Sequence, residues 1–111
     1  MKILIDSDAI PRPLKEALIK AAEREKMEMI FVAANIPRLP ESGFVKGVAA
    51  GKAFNGADDW IVEHAEPGDL IITADIPLAD RGIVKGAEVL NTKGEFFTQS
   101  NIKNALAMRE L

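Results

Sequence analysis

Aspartate is the residue type of this chain with which chemistry could be done, because histidine and cysteine are nearly absent. The 111 residues include one histidine and no cysteine. Thiolate zinc sites and cysteine nucleophiles are therefore excluded. A serine nucleophile would have a single histidine available as its base. Carboxylates remain as the groups that could hold a metal ion or transfer a proton.

Four aspartates lie at the ends of predicted secondary structure elements. The first apolar run of the chain ends at Asp6 and Asp8, and the third ends at Asp75. Asp58 stands at the beginning of a predicted helix. The carboxyl ends of parallel strands share one edge of a sheet, and ligands of open α/β sheets bind at that edge. We therefore expect the four carboxylates to converge in one pocket.

Such a cluster of carboxylates predicts a divalent metal ion. Two unit charges ~4 Å apart repel by roughly 4 kcal/mol at an effective dielectric constant of about 20, so the cluster needs a compensating cation. Oxygen ligands without histidine or cysteine favour Mg²⁺ or Mn²⁺ over zinc. These ions polarise phosphoryl oxygens and activate water, which is the chemistry of phosphodiester hydrolysis.

Two of the aspartates also have an ordinary structural interpretation. Asp8 could cap the helix that follows Pro11, since aspartate is common at that position. Asp58 lies in the first turn of a helix together with Asp59, where the helix dipole favours negative charge in any protein. The sequence alone leaves both interpretations open.

Four further residues are candidates for contacting a substrate. Asn35 follows the second predicted strand and could orient a phosphate or a water molecule, although a role in a turn is equally compatible with its position. Lys46 and Lys52 lie in a glycine-rich segment that could contact phosphate but lacks the P-loop pattern. Thr73 precedes Asp75 and could position a phosphate or another ligand.

Predicted strands and helices alternate along the chain. Apolar runs predict strands over 2–5, 29–34, 44–49, 70–74 and 87–90, and helices are expected over 14–22, 57–65, 76–85 and 98–111. The strands are continuously apolar, which predicts a mostly parallel central sheet with helices on both faces. A chain of this length builds one core, so we expect one α/β domain over 1–111.

Composition limits the partners. The formal charge is -3 and the isoelectric point is near 5.2, which argues against a protein that coats nucleic acid by bulk charge. RNA remains a possible partner if a local patch and a metal ion supply the positive charge. The sequence lacks the apolar stretch of a signal peptide or a membrane span, so we expect a cytoplasmic protein without a membrane partner. The oligomeric state is not indicated.

Several stretches resemble the bacterial YaiI/YqxD family over nearly the whole chain. They are DSDAIP from Asp6, VAAN ending at Asn35, GADDWIV from Gly56 and, most specifically, GDLIITADIPLA over 68–79. The resemblance implies a PIN-like three-layer sandwich, the α/β fold of many metal-dependent ribonucleases.

The PIN-like pattern also implies roles for individual acids. Asp6, Asp58 and Asp75 match its acidic positions, so they would hold Mg²⁺ or Mn²⁺, with Asp8 contacting the ion through water or orienting the attacking water. PIN nucleases usually carry a further acid just after the T-x-D motif, where this chain has Ile76, so the fourth ligand is missing.

Three functions follow from these patterns. The first is a metal-dependent phosphodiesterase or nuclease that acts on RNA, with Asp6, Asp8, Asp58 and Asp75 as its catalytic residues. The second is a noncatalytic regulatory module that binds metal, nucleotide or RNA. The third is a haloacid-dehalogenase-type phosphatase with Asp6 and Asp8 as nucleophile and acid/base. The adjacency of Thr73 and Asp75 argues against it, because that family places a lysine between its hydroxyl motif and its last acids.

Overall fold

Strands and helices alternate in the structure as the sequence predicts. The computed structural model describes residues 1–53 and 55–109. None of the helices in these ranges combines the length and the apolar character that crossing a bilayer requires. The elements are β1 (Ile3–Asp6), a 3-10 turn (Ser7–Ala9), α1 (Arg12–Glu25), β2 (Met29–Ala33), β3 (Val45–Ala49), α2 (Gly56–His64), β4 (Leu70–Ile72), α3 (Ile76–Val84), β5 (Glu88–Leu90), β6 (Phe96–Phe97) and α4 (Gln99–Arg109).

The six strands form one sheet in the order β3-β2-β1-β4-β5-β6. The first five strands are parallel, and β6 is antiparallel to β5. The chain winds outward from β1 through β2 to β3 and then returns to continue on the other side with β4. The order therefore reverses between β1 and β4, which is the position where doubly wound sheets bind ligands.

Helices cover both faces of the sheet, and alternate residues of β1 therefore face two different cores. Leu4 packs among buried residues of α2, α3 and α4. Ile5 packs on the opposite face with Ala22 of α1 and Phe31 of β2. The predicted α/β fold with a mostly parallel sheet is confirmed, and it is consistent with a PIN-like sandwich.

A close contact between α3 and the sheet depends on Gly82. A Cβ atom at this position would lie 2.7 Å from Cδ1 of Ile71 and 3.0 Å from Cγ2 of Val89, both on strands below the helix. Gly82 itself is buried. The missing side chain thus lets α3 lie directly on β4 and β5, and it fixes the helix that begins next to Asp75.

The structure differs from the predicted elements at the ends of the chain's later strands. β4 ends at Ile72 rather than at residue 74, because the next residues turn away to make side-chain hydrogen bonds. The sequence does not predict β6, since two residues are too few to display a period. The final helix begins after Thr98 as expected, and the last two residues of the predicted range 98–111 lie outside the described residues.

A buried ion pair fixes the other end of β1. The carboxylate of Asp69 accepts hydrogen bonds from the backbone N–H of Lys2 (3.1 Å), from Nζ of Lys2 (2.7 Å) and from the backbone N–H of Glu66 (2.9 Å). Burial raises the pKa of Asp69, but the hydrogen bonds and the Lys2 ammonium outweigh this effect, so the pKa lies below its usual value. This aspartate stabilises the fold as a carboxylate.

We expect Asp69→Asn to destabilise the protein at neutral pH by about 1.5 to 3 kcal/mol, because a charged acceptor of buried hydrogen bonds is lost. The folded-state pKa is depressed, so the contribution of Asp69 is present above its unfolded pKa of about 3.9 and is lost as the pH falls through the folded value. Urea denaturation at neutral and acidic pH measures the difference. Glu66→Gln is the control, since its exposed carboxylate lies 3.8 Å from Nζ of Lys2; an equal loss there would contradict the assignment.

Candidate active site

A chain of hydrogen bonds joins the carboxyl ends of β1 and β4. The hydroxyl of Thr73 donates to Oδ2 of Asp6 at 2.9 Å and accepts from the backbone N–H of Asp75 at 2.9 Å. Thr73 is fully buried and Asp6 is 6% exposed. Both hydrogen-bonding capacities of the hydroxyl are thereby used within the protein. The structure therefore places Thr73 behind the carboxyl edge of the sheet that carries Asp6, Asp58 and Asp75, which we call the acidic edge, and Thr73 orients Asp6 there.

Asp75 is held at the beginning of α3. Its Oδ1 atom accepts a hydrogen bond from the backbone N–H of Leu78 at 2.8 Å, so it is the N-cap of the helix. Pro77 stands in the first turn, where its fixed φ angle suits the helix. The cap and the contact to Thr73 together fix the Asp75 carboxyl group at the end of β4.

Asp58 completes the cluster from the first turn of α2. Its carboxyl group is partly buried, and burial is the main cause that raises its pKa to about 6. The carboxylates of Asp75 and Asp6 raise this pKa further, whereas Arg81 lowers it. Asp58 therefore lies within electrostatic range of both strand-end acids, although the three come from separate parts of the sequence.

The pKa of Asp6 is raised by similar causes. Burial raises its pKa, the hydrogen bond from Thr73 lowers it, and the carboxylates of Asp75 and Asp8 raise it. The effect of Asp8 is the smaller of the two electrostatic ones. The geometry divides the four acids into two pairs: Asp6 and Asp75 are joined through the Thr73 hydroxyl, whereas Asp8 and Asp58 line one pocket.

Asp8 joins the turn after β1 to the end of β2. Its Oδ2 atom accepts a hydrogen bond from the backbone N–H of Ala34 at 2.9 Å. Within the described residues, no side chain caps α1, which begins after Pro11, so the interpretation of Asp8 as a helix cap is wrong. Asp8 instead faces a shallow pocket of about 290 Å³ next to the cluster, which it lines together with Lys52 and Asp58.

The remaining candidates divide between the two edges of the sheet. Lys52 lies at the acidic edge as expected, and Asn35 is exposed directly after Ala34, which lines the same pocket. Lys46 lies near the start of β3 and forms an ion pair with Glu28 at 3.0 Å. Because β3 is parallel to β2, this places Lys46 towards the amino edge of the sheet, away from the site. The structure therefore separates Lys46 from the site.

Arg81 is a residue of this site that the sequence does not indicate. Its Nη1 atom contacts Oδ1 of Asp59 at 2.8 Å, and its charge lowers the pKa of Asp58. The two neighbouring acids of α2 thus have different environments, since Asp59 is exposed and paired whereas Asp58 faces the cluster. The separation of 22 residues between Asp59 and Arg81 gives no local signal. Only the packing of α2 against α3 brings them together.

Comparison with known proteins places the chain in a family. The model of the family described as Uncharacterized BCR, YaiI/YqxD family matches residues 4–111. The chain belongs to the YaiI/YqxD family. No solved structure matches it.

Among its YaiI/YqxD relatives, two illustrate the extent of the similarity. A UPF0178 protein of Shewanella sp. (strain ANA-3) is 48% identical over 109 residues, which are 98% of this chain and 73% of the relative. A UPF0178 protein of Alkalilimnicola ehrlichii is 50% identical over 110 residues, which are 99% of this chain and 74% of the relative. The acidic edge lies within the range that the family model matches.

The site of this YaiI/YqxD protein fits an open metal site better than a closed one. In residues 1–53 and 55–109, no three histidine, cysteine, aspartate or glutamate side chains stand together as a complete metal-binding group. One oxygen of Asp6 and one of Asp75 are committed to hydrogen bonds within the protein. Mg²⁺ commonly takes only one or two carboxylates and completes its coordination with water and substrate phosphates. The donor set fits an ion held in this way.

We expect Asp58→Asn to raise the stability of the metal-free protein at neutral pH, because it removes a carboxylate that is partly buried and faces like charges. The pKa shift from 3.8 to about 6 would correspond to about 3 kcal/mol for a fully buried group. Solvent screening of this partly exposed carboxylate and the lost helix-dipole interaction reduce the expected gain to about 1 kcal/mol. The folded-state pKa is raised, so the penalty is absent below about pH 4 and grows until the pH passes about 6. Thermal unfolding in EDTA across this range measures it.

Asp59→Asn is the matched control for this experiment, since it neutralises the adjacent acid of the same helical turn. Asp59 is exposed and paired with Arg81, so its replacement should change stability by less than about 1 kcal/mol. If Asp58→Asn lowered the melting temperature while Asp59→Asn did not, Asp58 would be a structural residue of α2 and not a member of a strained cluster.

Proposed function

We propose that this protein is a phosphodiesterase that depends on a divalent cation and acts on RNA. The observation that carries the proposal is the placement of Asp6 and Asp75 at the carboxyl ends of β1 and β4, where the strand order reverses and the buried Thr73 hydroxyl joins them. Burial and neighbouring carboxylates raise the pKa of Asp6 and of Asp58 there. Acids that destabilise one another in this way cluster at functional sites, where a bound cation or a reaction uses them. The carboxyl edge between β1 and β4 is where such sheets bind ligands.

The residues of the acidic edge would have different roles in this reaction. Asp6, Asp58 and Asp75 are the candidate ligands of Mg²⁺ or Mn²⁺, of which one or two would bind the ion directly and the rest through water. The ion would polarise a phosphoryl oxygen and activate water. Thr73 keeps the Asp6 carboxylate aimed at the edge, because its hydroxyl binds Oδ2 from behind. Asp8 faces the adjoining pocket and would orient the water that attacks.

Lys52 would meet the negative charge of the substrate. It lines the pocket that Asp8 and Asp58 share, so an ammonium group lies beside the acids rather than among them. The chain as a whole is negative, with a formal charge of -3. A polyanion therefore needs local positive charge at the site, which a metal ion and Lys52 would supply together.

One observation favours a second function, a noncatalytic module that binds metal, nucleotide or RNA. The part of the chain that the structure describes contains no complete group of three metal-binding side chains. A site with few ligands can bind a cation weakly without supporting turnover. A phosphatase has less support, because Asp8 is hydrogen-bonded to Ala34 and affects Asp6 less than Asp75 does.

With Mn²⁺ or Mg²⁺, we expect the protein to hydrolyse single-stranded RNA, and we expect EDTA or Asp75→Asn to abolish the reaction. The asparagine still accepts the hydrogen bond from Leu78, so α3 stays capped while a charged ligand is lost. Cleavage of a labelled oligoribonucleotide measures turnover, and circular dichroism checks the fold. The expected loss is at least about 100-fold, since replacing groups that merely support metal ligands already costs up to about that factor. Asp59→Asn should retain activity.

Calorimetric titration with Mn²⁺ distinguishes the two functions. Binding of Mn²⁺ at the acidic edge without cleavage of single-stranded RNA, double-stranded RNA or a simple diester would support the noncatalytic module. Absence of both binding and cleavage would contradict the proposal altogether.

A second experiment tests the role of Thr73 as a positioning residue. Thr73→Val removes the hydroxyl that holds Asp6, and we expect the affinity for Mn²⁺ to fall by about 10- to 100-fold, as it does when groups that support metal ligands are lost. Thr73→Ser keeps the hydroxyl and should restore most of the affinity. Calorimetric titration of both variants with Mn²⁺ gives the comparison. Equal affinities of the valine variant and the unmodified protein would show that the hydrogen bond serves only the fold.

A further inference from the structure

A second charged feature lies outside the acidic edge. Three basic side chains, those of Arg12, Lys15 and Arg38, line a cavity of about 300 Å³, which we call the basic cavity. Glu16 is the one acidic residue among those that line it, and Ile19 and Pro40 complete the wall. This local excess of positive charge contrasts with the formal charge of -3 of the chain.

The three cations are not used to hold the fold. None of the ion pairs found among the described residues includes Arg12, Lys15 or Arg38. Arg12 and Arg38 are exposed, and Lys15 is partly buried along its stem. Three like charges around one cavity repel each other, so the arrangement favours an anionic ligand.

The basic cavity lies close to the acidic edge. The hydrogen bond between Asp8 and the backbone of Ala34 ties together the segments that leave β1 and β2. Arg12 follows Asp8 by four residues and Arg38 follows Ala34 by four residues. Four residues span at most about 14 Å. Arg12 therefore begins α1 within this distance of Asp8, while Pro37 and Leu39 on either side of Arg38 lie next to Gly47 in the middle of β3.

We propose that the basic cavity binds the phosphate backbone of a single-stranded nucleic acid whose neighbouring phosphate lies at the acidic edge. Guanidinium groups match phosphate oxygens with two parallel hydrogen bonds, and the lysine adds a point charge. The apolar surfaces of Ile19 and Pro40 suit a sugar or a base beside these phosphates. The inference rests on the proposed function and deepens it, because it makes the substrate a polynucleotide chain and not a free nucleotide.

Binding of a fluorescein-labelled single-stranded oligoribonucleotide, followed by anisotropy in EDTA over a series of salt concentrations, tests the inference. We expect Arg12→Gln with Arg38→Gln to weaken binding at low salt by about tenfold. The slope of log affinity against log salt should decrease by about 1.4, since each lost phosphate contact on a single strand accounts for about 0.7. Both arginines are exposed, so the fold should be unaffected.

The matched control is Lys20→Gln with Arg24→Gln. These residues are also exposed and lie on the same helix, towards its other end, and their replacement lowers the net charge by the same amount. An equal loss of affinity in the control would overturn the inference, because bulk charge would then explain binding. Unchanged binding by the Arg12/Arg38 variant, or equal displacement of the RNA by a polyglutamate peptide, would also overturn it.

Hydrolysis of bis(p-nitrophenyl) phosphate with Mn²⁺ separates this inference from the proposed function. That small diester cannot extend to the basic cavity, so both the unmodified protein and the Arg12/Arg38 variant should hydrolyse it equally. If both proteins hydrolyse the diester equally and the variant also binds RNA with unchanged affinity, the inferred role of the basic cavity is contradicted. The proposed phosphodiesterase activity is then retained. If neither the diester nor RNA is hydrolysed, but the variant binds RNA more weakly as expected, the proposed phosphodiesterase activity is contradicted. The inference that the basic cavity binds nucleic acid is then retained.

Discussion

The hydrogen bond from Thr73 to Asp6 is the contact on which the acidic edge depends. It joins the ends of two neighbouring parallel strands that are 67 residues apart in sequence, and it is buried. The same hydroxyl accepts the N–H of Asp75, and Asp75 in turn caps α3. Through this chain of contacts, the position of one helix and two strands fixes where the carboxyl groups stand. A buried hydroxyl with both capacities satisfied has little freedom to move, so the edge is preorganised.

Two nearly buried aspartates of this protein have opposite electrostatic environments. Asp69 accepts three hydrogen bonds, one of them from the Lys2 ammonium, and its pKa is lowered. Asp6 receives a neutral hydroxyl and faces other carboxylates, and its pKa is raised. The first arrangement stabilises the folded state at neutral pH, whereas the second destabilises it. This contrast separates an aspartate that stabilises the fold from one that destabilises it, which the residue type alone could not do.

The sheet and the placement of the acids are more predictable from the sequence than the partners of those acids. Continuous apolar runs such as Ile3 to Ile5 are typical of strands that are covered on both faces. The strands and their shared carboxyl edge were therefore predictable. The position of Lys46 away from this edge was not predictable, because a strand has two ends and its glycine-rich surroundings do not indicate which end faces the ligand. The contacts of Asp8 with Ala34 and of Arg81 with Asp59 follow from tertiary packing. No spacing in the sequence encodes them.

Acidic and basic side chains are concentrated in different places on the molecule, which its net charge of -3 does not show. Burial and neighbouring carboxylates raise the pKa of Asp6 and of Asp58. The negative charge of this edge repels an approaching phosphate unless a cation reverses the local sign. Lys52 on one side and the basic cavity on the other supply attraction at short distance. Screening confines each of these fields to about 10 Å at moderate salt, so they act separately despite their opposite signs. In the proposed function, a polyanion would be held by its flanking phosphates, and the phosphate between them would meet the acids only together with a metal ion. The metal would then control the reaction, and the basic residues would control which molecules are bound when it occurs.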